Sequence, residues 1–326
     1  MSKSYLNVAS RVFNRPLLLE PSYARVFMSA LAPRLNIGSL TDFSGDVDMA
    51  AEIKSALDSE GLGTRGEAET RHYKLVDGVA VIAVAGSLVH KLGGLKPYSG
   101  MTGYDCIVEL HRMACADSQV KGVLLDMDSP GGEVAGCFDA ARKLRQQAEE
   151  TGKPLWACCY DLNASAAMAL ASAASRRLIT QTGSAGSVGV VMGHTSYEKL
   201  LENEGIKVTL IHSGAHKVDG NPYEDLSPEV LSEFQEESHG LRQDFAELVS
   251  SHLGMSVDEV LATEAKMYRG QEAVDIGFAD EVINGNDALT VFSQFLCASQ
   301  AKFGRPPEID DDAIKALTTP HPCSLR

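Results

Sequence analysis

The stretch from Val120 to Tyr160 constrains the fold most. "VKGVLLDMDS" is a run of aliphatic and β-branched residues at strand length, "PGG" is a turn, "EVAGCFDAARKLRQQAEE" has helical periodicity, and "PLWACCY" reads as a second buried strand. Two such strands joined through a helix of roughly a dozen residues or more require a crossover, and crossovers of this kind build parallel sheets with helices on their faces. The alternation continues through the Ala-rich helix "ASAAMALASAAS", the strand "RRLITQ", the short strand "SVGVVMG", the helix "SYEKLLENEG" and the strand "KVTLIHSG". Upstream, "GVAVIAVAGSLV" is a β-branched run, followed by the loop "KLGGLKPYSGMTGY" and a helix ending near Asp117. Residues 227–283 are mostly helical, with "SPEVLSEFQEESHGLRQDFAELVSSHL" a long amphipathic segment. The expected class is therefore α/β, with a largely parallel, covered sheet.

The flanks have a different texture. Residues 1–70 form an N-terminal arm and linker, with a helix in "PSYARVFMSALAPRLN" followed by the Gly- and acid-rich "DSEGLGTRGEAETR". Residues 71–290 make up the main domain. Residues 291–326 form a short tail, and "KFGRPPEIDDDAIKALTTPHPCSLR" lacks the apolar period that would order it.

Composition removes several function classes. With 29 Lys plus Arg against 44 Asp plus Glu, the net charge of -15 argues against direct nucleic-acid binding, which needs clustered positive charge. Cys106, Cys115, Cys137, Cys158, Cys159, Cys297 and Cys323 contain no CxxC, so neither a disulfide framework nor a zinc knuckle is indicated, and a reducing compartment fits. The apolar run in "MSKSYLNVASRVFNRPLLLEP" is too short for a signal-peptide core, and no apolar stretch reaches the roughly 18 residues of a membrane helix. The expectation is a soluble, cytoplasmic protein with no membrane contact.

Four segments carry candidate chemistry, each with an ordinary alternative. The turn "DSPGGEV" (Asp128–Val134) can bring backbone N–H groups close to an oxyanion, or it can be a plain strand-to-helix turn. Ser165, in "NASAAMALASAAS", stands where a nucleophile would gain support for developing negative charge; it is equally a small residue in a tightly packed helix. Lys217, in "IHSGAHKVDG", follows a strand end, where α/β sheets build sites. Desolvated, it could act as a general base; solvated, it is an ordinary charge. His194, His212 and His216, with Asp219 as an orienter, keep a Ser-His-Asp arrangement formally open, although there is no GxSxG and His216 reads as structural or exposed. "TGSAGSVGV" (Thr182–Val190) leads into a strand and looks built for close backbone approach. GxxxxGK[ST], HExxH and GxGxxG at a strand-to-helix turn are all missing, so no nucleotide, metal or other cofactor is expected.

Taken in order, "DSPGG", "ASAA", "TGSAGSVGV" and "SGAHK" are similar to the signal-peptide-peptidase-like serine peptidases of the S49 group. That resemblance implies a ClpP/crotonase-like fold of repeated ββα and βαβ units and a Ser/Lys dyad: Ser165 as nucleophile and Lys217 as general base. It also implies Ser187 as the residue orienting the lysine, and backbone N–H groups of Gly131, Gly132 and Ala166 as the oxyanion hole. Within the group, "LLLEPSYARVF", "LKPYSGMTGY", "LLDMDSPGG", "LASAASRRLITQTGSAGSVGV" and "SGAHKVDGNPY" look like the phage head maturation proteases of the lambda type, from about residue 15 to about 298.

That second resemblance implies a homo-oligomeric endopeptidase acting in the host cytoplasm, inside the assembling procapsid, on scaffold, portal-type and its own segments. Two departures stand out. Ala166 and Ala167 follow the serine where the family usually carries glycine, and the tail after 300 is short where lambda-type proteases continue into a scaffold-forming region. The short tail implies a separate scaffold chain or a truncated prophage relic. The rival readings are an inactive capsid-assembly or scaffold-binding protein, and acyl-CoA chemistry on a crotonase-like fold.

Overall fold

In the computed structural model, the described residues are 15–21, 23–24, 72–91 and 100–303. The chain runs β1 (Leu17–Leu19), β2 (Lys74–Val76), β3 (Val79–Ala85), β4 (Ser87–Val89), β5 (Met101–Gly103), α1 (Tyr104–Ala116), β6 (Gly122–Ser129), β7 (Gly131–Glu133), α2 (Cys137–Thr151) and β8 (Leu155–Ala164). It continues through α3 (Ala166–Ser172), β9 (Arg176–Thr180), β10 (Ser184–Gly186), α4 (Glu198–Asn203), a 3-10 turn (Ala215–Lys217), α5 (Pro228–Leu253), α6 (Val257–Ala262), β11 (Met267–Arg269), α7 (Gln271–Asp275), β12 (Glu281–Ile283) and α8 (Ala288–Phe303).

The strands form two sheets. The eight-stranded one has the order β11-β10-β8-β6-β3-β2, with β9 and β12 branching from β8. Its central pairings β3–β6, β6–β8, β8–β9 and β8–β10 are parallel, as the crossovers require. The four-stranded sheet has the order β1-β7-β4-β5. The expected α/β class with a parallel, covered sheet is observed.

Side chains of β6 and β8 alternate between two apolar layers, the period-two consequence of the strand backbone. Val123, Leu125, Met127, Leu155, Ala157 and Cys159 enter the larger core, together with residues of α1, α2, α3 and α5. Leu124, Trp156 and Cys158 face the opposite way, into a smaller core closed by Ala288, Phe292 and Leu296 of α8. The Phe292 ring stacks on Trp156 with centroids 4.3 Å apart.

Three expectations need correction. "GVAVIAVAGSLV" is two strands, β3 and β4, because Gly86 turns with φ 66° and a Cβ there would lie 2.2 Å from the Gly100 carbonyl oxygen. "SVGVVMG" forms no regular strand; Val191 makes only an isolated bridge to Leu17. Residues 207–214, expected to be a strand, have no strand structure and are exposed. The outer edge of β10 is already paired with β11, which leaves that run no neighbour there.

The helix expected in the arm is helical at Pro21, Tyr23 and Ala24, and the remainder lies outside the described residues, as do the linker and residues 304–326. α8 runs across residue 291, the boundary expected for the tail, and ends at Phe303.

Candidate active site

β8 delivers Ser165. Residues Trp156–Cys159 of β8 pair with β9, whereas Leu162–Ala164 pair with β10. Against β6 the register shifts between Met127 and Ser129, bringing Asn163 opposite Ser129. The strand thus leaves one neighbour for another just before the serine, and its end swings beside the "SPGG" turn.

Ser165 is the N-cap of α3 and has φ 57°, ψ -113°. An L-residue with positive φ is uncommon and costs of order 1–3 kcal/mol, a strain usually found at functional sites. The residue is fully buried, and its Oγ has no hydrogen-bond partner among the described residues. A buried hydroxyl left unpaired is itself costly, as is the unpaired Oδ1 of buried Asn163 two residues earlier.

Ser187 stands next to it. β10 runs parallel to β8 with Gly186 opposite Ala164, and the Ser165 N–H donates to the Gly186 carbonyl at 2.8 Å. Ser187 has φ 58°, is buried, and donates its N–H to the Lys266 carbonyl at 3.1 Å.

On the other side lies β7. Gly131 has φ 101°, and a Cβ built there would stand 3.0 Å from the Ser165 Cβ and 2.0 Å from the Leu18 carbonyl oxygen, so only glycine fits. A Cβ on Gly132 would lie 1.8 Å from the Leu88 carbonyl oxygen. The Gly131 N–H donates to Ser129 Oγ at 3.2 Å, Ser129 Oγ donates to the Gly86 carbonyl at 2.6 Å, and the Tyr104 hydroxyl anchors β7 by donating to the Glu133 carbonyl at 2.7 Å. The pKa of Asp128, just before this turn, is raised from its ordinary value by burial and then by Asp161.

Three of the elements expected at the site therefore converge: Ser165 with Ala166, Ser187, and the Gly131–Gly132 turn. Lys217 is not joined to them within one chain, since it is exposed in its 3-10 turn and Ser165 Oγ has no partner. No histidine bonds that Oγ either. His216 is exposed and contacts Asp219 at 2.8 Å, with Glu233 at 4.0 Å, and His212 contacts the Gly214 carbonyl. The buried His111 and the half-buried His252 are engaged elsewhere: His111 Nδ1 with Gln147 Oε1 at 2.7 Å, and His252 Nδ1 with Ser172 Oγ at 2.9 Å.

Sequence reasoning missed two features. One is a cavity of about 1080 Å³ beside Ser187, bounded by Leu19, Val191, Leu226, Phe234 and Ala265. The other is β1 itself, which lies against β7; the signal available was the triple leucine of "RPLLLEP".

A model of peptidase family S49 matches residues 147–297, the stretch that carries Ser165, Ser187 and Lys217. The chain is 49% identical over 91% of its length to capsid assembly protease C of Escherichia phage lambda, covering 67% of that protein. It belongs to peptidase family S49. This S49 chain is also 47% identical over 95% of its length to head-tail preconnector protein GP5 of Enterobacteria phage P21, of which it spans 61%. Among the described residues, no helix of this S49 protein is long and apolar enough to cross a membrane.

Proposed function

We propose that this chain is a serine endopeptidase of phage head maturation, with Ser165 as nucleophile and Lys217 as general base on a ClpP/crotonase-like domain. The observation that carries the reading is Ser165 itself: strained, buried and unpartnered, between Ser187 and Gly131. Its Oγ attacks the scissile carbonyl while its proton passes to the Lys217 amine, and that proton then goes to the leaving amine. Water, deprotonated by the same amine, releases the acyl group and regenerates the serine. Backbone N–H groups of Gly131, Gly132 and Ala166 receive the oxyanion, a contribution of roughly 10²- to 10³-fold in rate per donor. Ser187 orients the lysine. The cavity beside Ser187 receives substrate side chains.

Lys217 reaches Ser165 on self-association. The run from Ile206 to Ile211 supports this, because Ile206, Val208 and Leu210 are exposed and Ile211 is 97% exposed, which suits a surface covered in an assembly. Leu231, exposed on α5, adds to that surface. The names of the relatives, capsid assembly protease in phage lambda and head-tail preconnector protein in phage P21, support a role in head assembly. The substrates are scaffold, portal-type and self segments, cleaved inside the assembling procapsid in the host cytoplasm, by a peptidase domain over 71–290 flanked by the arm 1–70 and the tail 291–326.

The test is covalent labelling of wild type, Ser165→Ala and Lys217→Ala by a serine-directed fluorophosphonate, read by intact mass and peptide mapping under assembly conditions. Labelling at Ser165 that is lost in both variants is the expected result. Absence of labelling in folded, oligomeric wild type would instead favour an assembly protein that forms no acyl-enzyme.

A further inference from the structure

β1 lies in a slot with two polar edges. On one side it pairs antiparallel with β7, Leu17 opposite Glu133, Leu18 opposite Gly132 and Leu19 opposite Gly131, and the Glu20 N–H donates to the Pro130 carbonyl at 2.8 Å. An antiparallel ladder exchanges bonds at every second pair, so the next exchanging pair is Leu18 with Gly132. On the other side Leu17 exchanges both backbone bonds with Val191, at 2.8 and 2.9 Å. A three-residue strand thus occupies the hydrogen-bonding edges of β7 and Val191 at once. This is how an extended peptide docks by strand addition.

The position along the slot matters more. The Leu18 carbonyl oxygen and the Ser165 Cβ flank the same side of the Gly131 α-carbon, 2.0 and 3.0 Å from where a Cβ would stand. Leu17, Leu18 and Leu19 are all buried, and Leu18 belongs to the main apolar core. The hydroxyl of Tyr23, just beyond, contacts Ser87 Oγ at 2.8 Å and ties the segment to β4. The chain has therefore laid one of its own peptide carbonyls beside the Gly131 turn, on the side of Gly131 where Ser165 also stands.

We propose that Leu17–Leu19 is the resident strand of the polypeptide cleft beside Ser165, and that a substrate chain binds by displacing it. The incoming chain runs antiparallel to β7, bonds to both edges, and places a large aliphatic side chain where Leu18 is now buried. The assignment rests on the peptidase reading above and deepens it: the resident strand masks the site, and the affinity for substrate is the intrinsic affinity multiplied by the fraction of time the strand is undocked.

The test uses the full chain carrying Leu17→Cys and Val191→Cys, whose exchanging backbone pair sets the α-carbons at a separation that a disulfide spans. The probe is a fluorescent peptide of residues 15–24, followed by anisotropy, with fluorophosphonate labelling of Ser165 measured on the same preparations. The oxidised, clamped protein is expected to bind no peptide and to resist labelling, and reduction is expected to restore both. Leu18→Asp, which forces a carboxylate into the core and so releases the strand, should bind the peptide at least about tenfold tighter than wild type. A peptide with Asp at the Leu18 position should fail to bind.

Equal peptide affinity and labelling with the clamp open and closed would overturn the proposal. So would a folded Leu18→Asp chain with unchanged affinity. Peptide binding that follows the clamp while no preparation labels at Ser165 would uphold the slot and sink the nucleophile assignment instead.

Discussion

Ser165 and Ser187 leave neighbouring parallel strands with nearly the same positive φ, 57° and 58°, and are tied together by the 2.8 Å bond from the Ser165 N–H to the Gly186 carbonyl. Glycine would take either conformation without strain, so two serines there are a cost that the surrounding packing must enforce. α3 supplies that packing, because all seven of its residues are buried. What the strain achieves is placement: both hydroxyl-bearing residues stand at one end of the sheet, beside the Gly131 turn.

Because Ser165 Oγ is buried without a partner, its removal should not destabilise the fold. Ser165→Ala is expected to unfold at the same or a higher denaturant midpoint than wild type, with a gain of up to about 1 kcal/mol. A loss of more than that would mean the hydroxyl has a structural partner. Lys217→Ala, at an exposed position, should stay within about 0.5 kcal/mol of wild type while removing Ser165 labelling.

Two glycines with different surroundings separate backbone strain from steric conflict. A Cβ on Gly132 meets the Leu88 backbone at 1.8 Å, whereas Gly152, with φ 64°, has nothing within 4 Å of its missing Cβ. Gly132→Ala should therefore break the β4–β7 pairing, destabilising the protein by on the order of 3 kcal/mol and abolishing labelling. Gly152→Ala should cost about 1 kcal/mol, the left-handed C-cap penalty alone, with labelling intact. Denaturation midpoints and labelling rates on the same two proteins check both.

The crossovers around β6 and β8 were legible because each strand is an unbroken apolar run and each helix keeps its period, and local pattern suffices where both faces of a sheet are covered. The "SPGG" turn and Ser165 stood out as candidates in the sequence itself, whereas Ser187 entered only through the family resemblance, because a serine at the end of a short strand carries no pattern of its own. The run from Lys207 to Gly214 was misread for a reason that pattern cannot reveal. Its alternation suits a strand, but a strand exists only where an edge is open, and β11 had taken the edge of β10. β1 posed the converse problem: three leucines after a proline are too short to declare a strand, and only the two waiting edges make them one.

His111 gives the fold an acid sensitivity with a defined window. It is fully buried against Gln147 and within 4 Å of Cys115 Sγ, and burial pushes its pKa down to about 4. Above the unfolded-state value near 6.5 neither state holds the proton and nothing changes. As pH falls from there toward 4 the unfolded chain binds a proton that the folded chain refuses, so stability declines, and below 4 the loss levels off. The decline attributable to this residue is about 3 kcal/mol. Urea midpoints measured from pH 7 to pH 4 should show it, and His111→Gln should make that part of the curve shallower, the remainder falling to His252, whose pKa burial also lowers to about 4; an unchanged slope in the variant would assign the sensitivity elsewhere.

The smaller core depends on a helix that follows the rest of the domain in sequence. Phe292 of α8 is fully buried and stacks on Trp156, with the Arg176 guanidinium 5.2 Å from the Trp156 ring centroid. A Cβ on Gly122 would lie 2.7 Å from Phe292 Cζ, so the ring sits directly on the start of β6. Phe292→Ala is therefore expected to cost about 3 kcal/mol or more, since the cavity opens between the sheet and the helix that covers it. Trp156 is the only tryptophan in the chain, so its emission reports on this layer alone. The variant should show a red-shifted spectrum as α8 loosens, with the parallel sheet still folded by circular dichroism; an unshifted spectrum would mean that Ala288 and Leu296 hold the helix without the ring.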